Sequence, residues 1–216
     1  MTTNKGKGFE QDFKDSLGEM KHIWTFRPSD FGGGLNSRFT NHSLCDYIVF
    51  NNRTGNLFLF ELKSTQSTSI PCPPVKEILS LSDKQNELSD KLTTEEKKAA
   101  QKLLKEAVRH LNSYKIKYHQ LQSLLDIENN PEYTNIHPYF LLNFRNTNET
   151  YLMKPSDLYA ALEQTQKASV NIADIKKHNG VLIKQEHLRK TQHFVYDMNT
   201  TLEESYGTNQ KDKKEI

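Results

Sequence analysis

The sequence predicts an α/β fold in which helices flank a mixed β-sheet. Two segments rich in β-branched and aromatic residues are each divided by a short polar turn, which is typical of β-hairpins. Helical patterns precede, separate and follow these two segments. This order of elements favours one sheet with helices packed against it.

The first predicted element is a helix over residues 7–20. Phe9, Phe13 and Leu17 recur every four residues and form one apolar stripe. Residues 31–43 follow as a loop, because three consecutive glycines favour neither helix nor strand. This loop is either a lid or a plain connection.

The first hairpin is predicted over residues 45–63. Its segments CDYIVF and NLFLFELK have the composition of strands, and NNRTG between them has turn chemistry. Residues 66–74 contain three prolines, which predict a break in regular structure after the hairpin.

Residues 75–125 are predicted to be helical, with an insertion of helices at about 75–113. Thr93 and Glu96 have the spacing of a capping box, and apolar residues then recur at helical spacing as far as Leu111. Four cations fall on the opposite side of this helix: Lys98, Lys102, Lys105 and Arg109. This basic stripe is either a solvated helix face or a surface that binds phosphates.

The second hairpin is predicted from HPYFLLNF, residues 137–144, and ETYLM, residues 149–153, with RNTN as the turn. Ser156 is expected to cap the following helix. Gly180 is expected to end a further short helix.

Composition excludes several classes of protein. With 35% hydrophobic and 26% charged residues and no run of 18 apolar residues, the chain is expected to be soluble, with no secretory signal at its N-terminus. The two cysteines, Cys45 and Cys72, form no CxxC pair, so neither a disulfide scaffold nor a zinc site of the usual spacing is expected. Residues 205–216 are polar and predict a disordered tail, which leaves residues 1–204 as a single cytoplasmic domain.

The strand LFLFELKST ends on an acid and a base. Side chains alternate between the two faces of a strand, so Glu61 and Lys63 point to the same side. If the turn is centred on Arg53 and Thr54, the register of the hairpin places Asp46 opposite Glu61. Cys45 is then expected to pack on the other face of the sheet, without acting as a nucleophile.

Two neighbouring carboxylates repel each other unless a cation lies between them. Mg²⁺ takes carboxylate oxygens and keeps several waters, and a lysine beside it can orient or deprotonate a water and stabilise developing negative charge. Asp46, Glu61 and Lys63 therefore suit metal-assisted hydrolysis of a phosphodiester. In the alternative interpretation, all three are ordinary residues at the ends of strands.

Several segments, taken in order, resemble one nuclease family. These segments are KGFEQDF, FRPSDFGGG, CDYIVF, LFLFELKST, SIP, KYHQLQSLL and HPYFLLNFRNTNETYLM. Together they resemble the PD-(D/E)XK nuclease superfamily and, more narrowly, its RecU-type Holliday junction resolvases of the phage-like branch with little stalk. The resemblance implies a restriction-endonuclease-like sheet flanked by helices.

Carried over to this chain, the resemblance implies that Asp46 and Glu61 bind the metal and that Lys63 is the catalytic lysine. It also implies that Glu10 approaches the metal through water or helps to position it, and that Gln120 reaches the site from the helix behind the sheet. The implied cofactor is Mg²⁺, with Mn²⁺ as a substitute. The implied assembly is a homodimer that nicks four-way DNA junctions.

The predicted function is therefore a Mg²⁺-dependent endonuclease that resolves Holliday junctions or other branched DNA in recombination and repair. Two alternatives stay open: a restriction- or repair-type endonuclease that cuts duplex DNA, and an accessory protein that binds DNA without cutting it. Arg27 and Arg38, which flank the glycine-rich loop, are candidates for phosphate contacts, as is the basic stripe. The family's stalk is not apparent, so the inserted helix is a DNA arm, a cover for the sheet or a dimerisation element.

Overall fold

The computed structural model describes residues 5–28, 43–87, 94–188 and 193–204, which contain seven helices and ten strands. The helices are α1 (Lys5–Gly18), α2 (Val75–Glu87), α3 (Thr94–Leu111), α4 (Tyr118–Glu128), α5 (Pro155–Thr165), α6 (Ile172–Lys177) and α7 (Asn199–Glu204). The strands are β1 (Ile23–Phe26), β2 (Tyr47–Asn51), β3 (Asn56–Thr65), β4 (Ser69–Pro71), β5 (Ile136–Phe144), β6 (Glu149–Met153), β7 (Ser169–Asn171), β8 (Val181–Ile183), β9 (Gln185–His187) and β10 (Phe194–Tyr196). None of the helices in these ranges is long and apolar enough to cross a membrane.

Six of the strands form one mixed sheet in the order β1-β2-β3-β5-β6-β8. Strands β3 and β5 are parallel, and the other neighbouring pairs are antiparallel. A parallel pair needs a long crossover connection, which α2, α3 and α4 provide here. The predicted α/β class is confirmed, and the predicted helical insertion lies within this crossover.

The sheet is covered on both faces, and β3 contributes to both cores. Phe58 and Phe60 pack with Phe13 of α1 on one side. Leu59 packs on the other side, in a cluster that includes Leu121 of α4. Because β3 is buried on both of its faces, its sequence is almost continuously apolar.

The segments that flank the crossover differ from the prediction. The proline-rich segment 66–74 contains β4, which pairs with β7 in a separate two-stranded sheet, where an edge strand tolerates proline at its end. The helical span predicted over 75–125 is interrupted at residues 112–117, where the backbone N–H of Ile116 donates to the carbonyl of Pro71 at 3.0 Å. Thr93, the predicted cap of α3, lies outside the described residues.

The start of α5 also differs from the prediction, because Ser156 is not its cap. The N-cap residue is Lys154, followed by a proline at the first helical position. Ser156 instead donates from its backbone N–H and its hydroxyl to the carboxylate of Glu128, at 2.8 and 2.7 Å. The end of α4 thereby caps α5 through a side chain that is distant in sequence.

Gly180 is needed because a larger residue would not fit at this position. It is not the left-handed residue that follows α6. That helix ends at Lys177, and the left-handed residue is Asn179, with a φ of 59°. A Cβ atom on Gly180 would lie 2.1 Å from Cγ2 of Ile175 and 2.8 Å from its carbonyl oxygen. The prediction that Gly180 ends this helix as its left-handed residue is therefore wrong.

We expect Gly180→Ala to lower the free energy of unfolding by about 1–3 kcal/mol, because the backbone of α6 would have to shift. The matched control is Gly8→Ala in α1, where an added Cβ meets nothing within 4 Å. This control is expected to be neutral or stabilising, because alanine favours helix. Urea unfolding of both variants measures the difference, and equal midpoints would contradict the predicted clash.

Candidate active site

The register of β2 and β3 brings Asp46 beside Glu61. Ile48 lies opposite Leu59, which is the predicted register. Beyond the last strand pair, the backbone N–H of Asp46 donates to the carbonyl of Phe60 at 3.0 Å. The hairpin geometry predicted from the turn is therefore confirmed back to Tyr47, the first residue of β2.

The side chain of Asp46 extends the hydrogen bonding between β2 and β3 beyond Tyr47, the first residue of β2. Its Oδ2 atom accepts a hydrogen bond from the backbone N–H of Leu62 at 2.8 Å. This bond holds the half-buried carboxylate against β3, next to the residue that carries the second acid.

The carboxylate of Glu61 is buried but only half satisfied. Its side chain is 1% exposed, and Oε1 accepts hydrogen bonds from Nζ of Lys63 and, at 2.6 Å, from Nε2 of Gln120. Among the described residues, no donor group bonds to its other oxygen, Oε2. A side-chain hydrogen bond between Glu61 and Asp46 requires a proton on one of the two carboxylates. A buried oxygen without a partner costs free energy, so this atom marks a place for a proton or a cation.

Burial raises the pKa of Glu61 to about 7. The ammonium group of Lys63 opposes this rise, whereas the negative charge of Asp46 adds to it. Glu61 therefore resists ionising unless further positive charge is supplied.

Gln120 fixes the orientation of Glu61 from the first turn of α4. Its Oε1 atom accepts from the backbone N–H of Lys117 at 3.3 Å, while its Nε2 atom donates to Glu61. Because both ends of the amide are engaged, the side chain cannot rotate without losing two hydrogen bonds. The resemblance predicted this residue near the site, and the structure places it there.

Glu10 of α1 lies near Asp46 and Lys63, but its carboxylate is paired with Arg27. Burial raises the pKa of Glu10, the Arg27 guanidinium lowers it, and the charge of Asp46 raises it. Arg27 was predicted to contact DNA; here it forms this ion pair, and its buried Nε atom has no hydrogen-bond partner among the described residues. Its role in binding DNA stays a prediction.

The cations of the basic stripe on α3 are all exposed: Lys98, Lys102, Lys105 and Arg109. Leu103 of the same helix is 66% exposed, so the apolar side of α3 is wider than the face that it buries. Arg38 and the glycine-rich loop lie outside the described residues. The basic stripe is thus accessible, and its role in binding DNA stays a prediction.

Cys45 lies on the same side of the sheet as Glu61, which corrects the prediction. It belongs to the core cluster that includes Leu59, because strict alternation between faces begins only where β2 itself begins. Burial raises the pKa of the Cys45 thiol to about 12, and the charges of Glu61 and Asp46 add to this rise. The thiol therefore stays protonated, in agreement with a packing role.

Two further cations near the site were not singled out from the sequence. Arg145 follows β5 in the turn RNTN, and Lys115 lies in the connection between α3 and α4. Both occupy positions where exposed basic residues are common, so no pattern distinguishes them. Only the fold brings them to the end of β3.

The residues at this site fit a small divalent cation that keeps much of its water. Within the described ranges, no group of three or more His, Cys, Asp or Glu side chains is close enough to hold a metal ion. Asp46 and Glu61 would therefore be the side-chain ligands, and Mg²⁺ is commonly bound through one or two carboxylates. The unpartnered Oε2 atom of Glu61 is the observation that favours such an ion.

Comparison with models of known protein families and with curated proteins finds no match to this chain.

Proposed function

We propose that the protein is a Mg²⁺-dependent endonuclease that hydrolyses DNA phosphodiesters, with a restriction-endonuclease-like core. Its favoured substrate is a Holliday junction or other branched DNA, as expected of a RecU-type resolvase that acts as a homodimer. The mixed sheet with Asp46, Glu61 and Lys63 at one end of a hairpin supports this proposal.

One observation carries the proposal. Glu61 is buried beside a second acid, with one oxygen held by an amine and an amide and the other oxygen without a partner. An ordinary strand end would leave such an acid exposed or fully paired. A site that binds a divalent cation next to an amine accounts for both oxygens.

Each residue then has a defined task. Asp46 and Glu61 would hold Mg²⁺, which would supply positive charge beside the phosphate and lower the pKa of a neighbouring water. As an ammonium group, Lys63 would donate a hydrogen bond that stabilises negative charge developing on the phosphate. Gln120 positions Glu61, and Glu10 with Arg27 forms the neighbouring wall.

The test incubates the protein with Mg²⁺ and three substrates: a synthetic four-way junction, a linear duplex of the same sequence, and a single strand. We expect paired nicks placed symmetrically in the junction and little cutting of the other two substrates. Mn²⁺ should replace Mg²⁺, and Lys63→Ala serves as the inactive control.

The other outcomes separate the alternatives. Equal cutting of junction and duplex would favour a restriction- or repair-type endonuclease. Tight binding of DNA without cutting in either Mg²⁺ or Mn²⁺ would favour a DNA-binding accessory protein and would contradict the proposed hydrolysis.

A further inference from the structure

The guanidinium group of Arg145 lacks partners although part of it is buried. Its Nε and Nη1 atoms are inaccessible to solvent and donate no hydrogen bond to any described residue. The backbone N–H of Arg145 donates to the carbonyl of Thr65 at 2.9 Å, which fixes the residue beside the end of β3. Buried guanidinium nitrogens without acceptors are costly, so this position is suited to an anion that is supplied from outside the chain.

Positive charge is concentrated around this group. Burial lowers the pKa of Lys115, and the charges of Arg145 and Lys63 lower it further, which shows that the three cations lie near one another. Lys63 is paired with Glu61. Among the described residues, no ion pair joins either Arg145 or Lys115 to a carboxylate, so their mutual repulsion is not offset within the chain.

The position of Arg145 relative to Lys63 suits a nucleic-acid backbone. Lys63 and Thr65 are two residues apart on β3, a separation of about 7 Å along a strand. This distance is comparable with that between neighbouring phosphates of one DNA strand. The backbone of Arg145 is thus anchored about one phosphate spacing from that of Lys63, which permits an anion at the Arg145 guanidinium to be the neighbour of one at Lys63.

A cleft of about 510 Å³ continues from the turn that carries Arg145. The side chains that line it include several hydroxyl donors and one cation: Ser67, Thr68, Ser69, Thr147 and Lys167. None of its described lining residues is Asp or Glu. Hydroxyl and ammonium donors of this kind are common contacts to phosphate and sugar.

We propose that Arg145 and Lys115 form a phosphate-binding subsite that takes the DNA backbone phosphate next to the one positioned at Lys63. This inference rests on the proposed nuclease function, because it assumes that DNA is the substrate. The guanidinium of Arg145 provides the directed hydrogen bonds, and the more exposed Lys115 adds positive charge.

The test measures binding of the four-way junction and of linear duplex in EDTA, over a range of salt concentrations, so that cutting does not interfere. Arg145→Gln should weaken binding about tenfold. It should also reduce the slope of log K against log salt by about 0.9, as expected for one lost phosphate contact. Lys115→Gln, which alters an exposed side chain in a turn, should give a smaller loss in the same direction.

The matched control is Arg53→Gln, which removes the same charge from the hairpin turn, where Arg53 is exposed and 3.8 Å from Glu203. This control should leave both the affinity and the salt slope unchanged. A second readout on the unaltered protein is the ¹⁵N resonance of Arg145 Nε, assigned by comparison with Arg145→Lys, which should shift on titration with inorganic phosphate. Unchanged binding in both subsite variants together with an unshifted resonance would overturn the subsite, as would an absence of DNA binding by the wild-type protein.

Failure of the subsite and failure of the nuclease proposal give different results. If the wild-type protein cuts DNA and Arg145→Gln binds and cuts equally well, the subsite is wrong and the nuclease stands. If the wild-type protein binds DNA but never cuts it, while Arg145→Gln binds about tenfold more weakly, the subsite stands on a protein that only binds DNA.

Discussion

Lys63→Ala is expected to lower the rate of Mg²⁺-dependent DNA cleavage by about 10²- to 10⁴-fold, the usual contribution of a positioned proton donor or acceptor. The physical reason is the placement of the Nζ atom, which bonds to Glu61 at the end of β3 and is 12% exposed on its side chain. No other described amine has a hydrogen bond to this carboxylate, so a neighbouring lysine cannot directly take over the task. Single-turnover cleavage of a labelled four-way junction measures the loss.

The same substitution should also change the acid–base behaviour of the site. Lys63 is the group that opposes the raised pKa of Glu61, so its removal should raise that pKa further. Residual cleavage by Lys63→Ala should therefore need a higher pH than cleavage by the wild-type protein. Unchanged cleavage at neutral pH would remove Lys63 from the mechanism.

The matched control for this substitution is Lys176→Ala. Lys176, on α6, also lies near a glutamate: its Nζ atom is 3.5 Å from the carboxylate of Glu149 on β6. This pair is separate from Asp46 and Glu61. Loss of cleavage in both variants would point to a general effect of lost charge. Loss in Lys63→Ala alone, with normal unfolding by urea, would assign the effect to the site.

The paired acids could be predicted from sequence because their placement depends on local rules. The four-residue turn and the twofold alternation of the two strands set the register, and the register alone puts Asp46 beside Glu61. Gln120 was different: it follows Glu61 by 59 residues and reaches it through the packing of α4. Only the resemblance to a known family, and no periodicity, pointed to it.

The features that escaped prediction depend on tertiary contacts. β4 forms from a proline-rich segment because β7 is available to pair with it, and the two strands are about 100 residues apart in sequence. Cys45 precedes β2, so the alternation of the strand does not extend to it. Arg145 is a turn residue whose significance depends on the end of β3 lying beside it, which sequence spacing does not show.

Glu61 should make the metal-free protein less stable as the pH rises. Its pKa is about 7 in the folded state against an ordinary value of 4.5, so the folded protein holds a proton that the unfolded chain releases between these values. The free energy of unfolding should therefore fall as the pH rises from about 4.5 to 7 and then level off. At 1.36 kcal/mol for each pKa unit, the contribution is roughly 3 kcal/mol.

Urea unfolding in EDTA at a series of pH values from about 3 to 8.5 measures this slope, and Glu61→Gln should remove it. A matched control is Glu149→Gln. A hydrogen bond from Tyr151 is the main cause that lowers the pKa of Glu149, so its contribution to stability is present at neutral pH and is lost as the pH falls. The two substitutions should thus change the pH dependence in opposite directions.

Mg²⁺ should reverse the destabilisation in the wild-type protein, because a cation at the unpartnered oxygen of Glu61 favours the ionised carboxylate in the folded state. At pH 8 the wild-type protein should therefore gain stability on addition of Mg²⁺, whereas Glu61→Gln should not. Parallel stability curves for the wild-type protein and Glu61→Gln in EDTA would show that Glu61 titrates normally in the folded state. A wild-type slope that Mg²⁺ leaves unchanged would mean that a proton, and not a metal ion, completes this pair of acids.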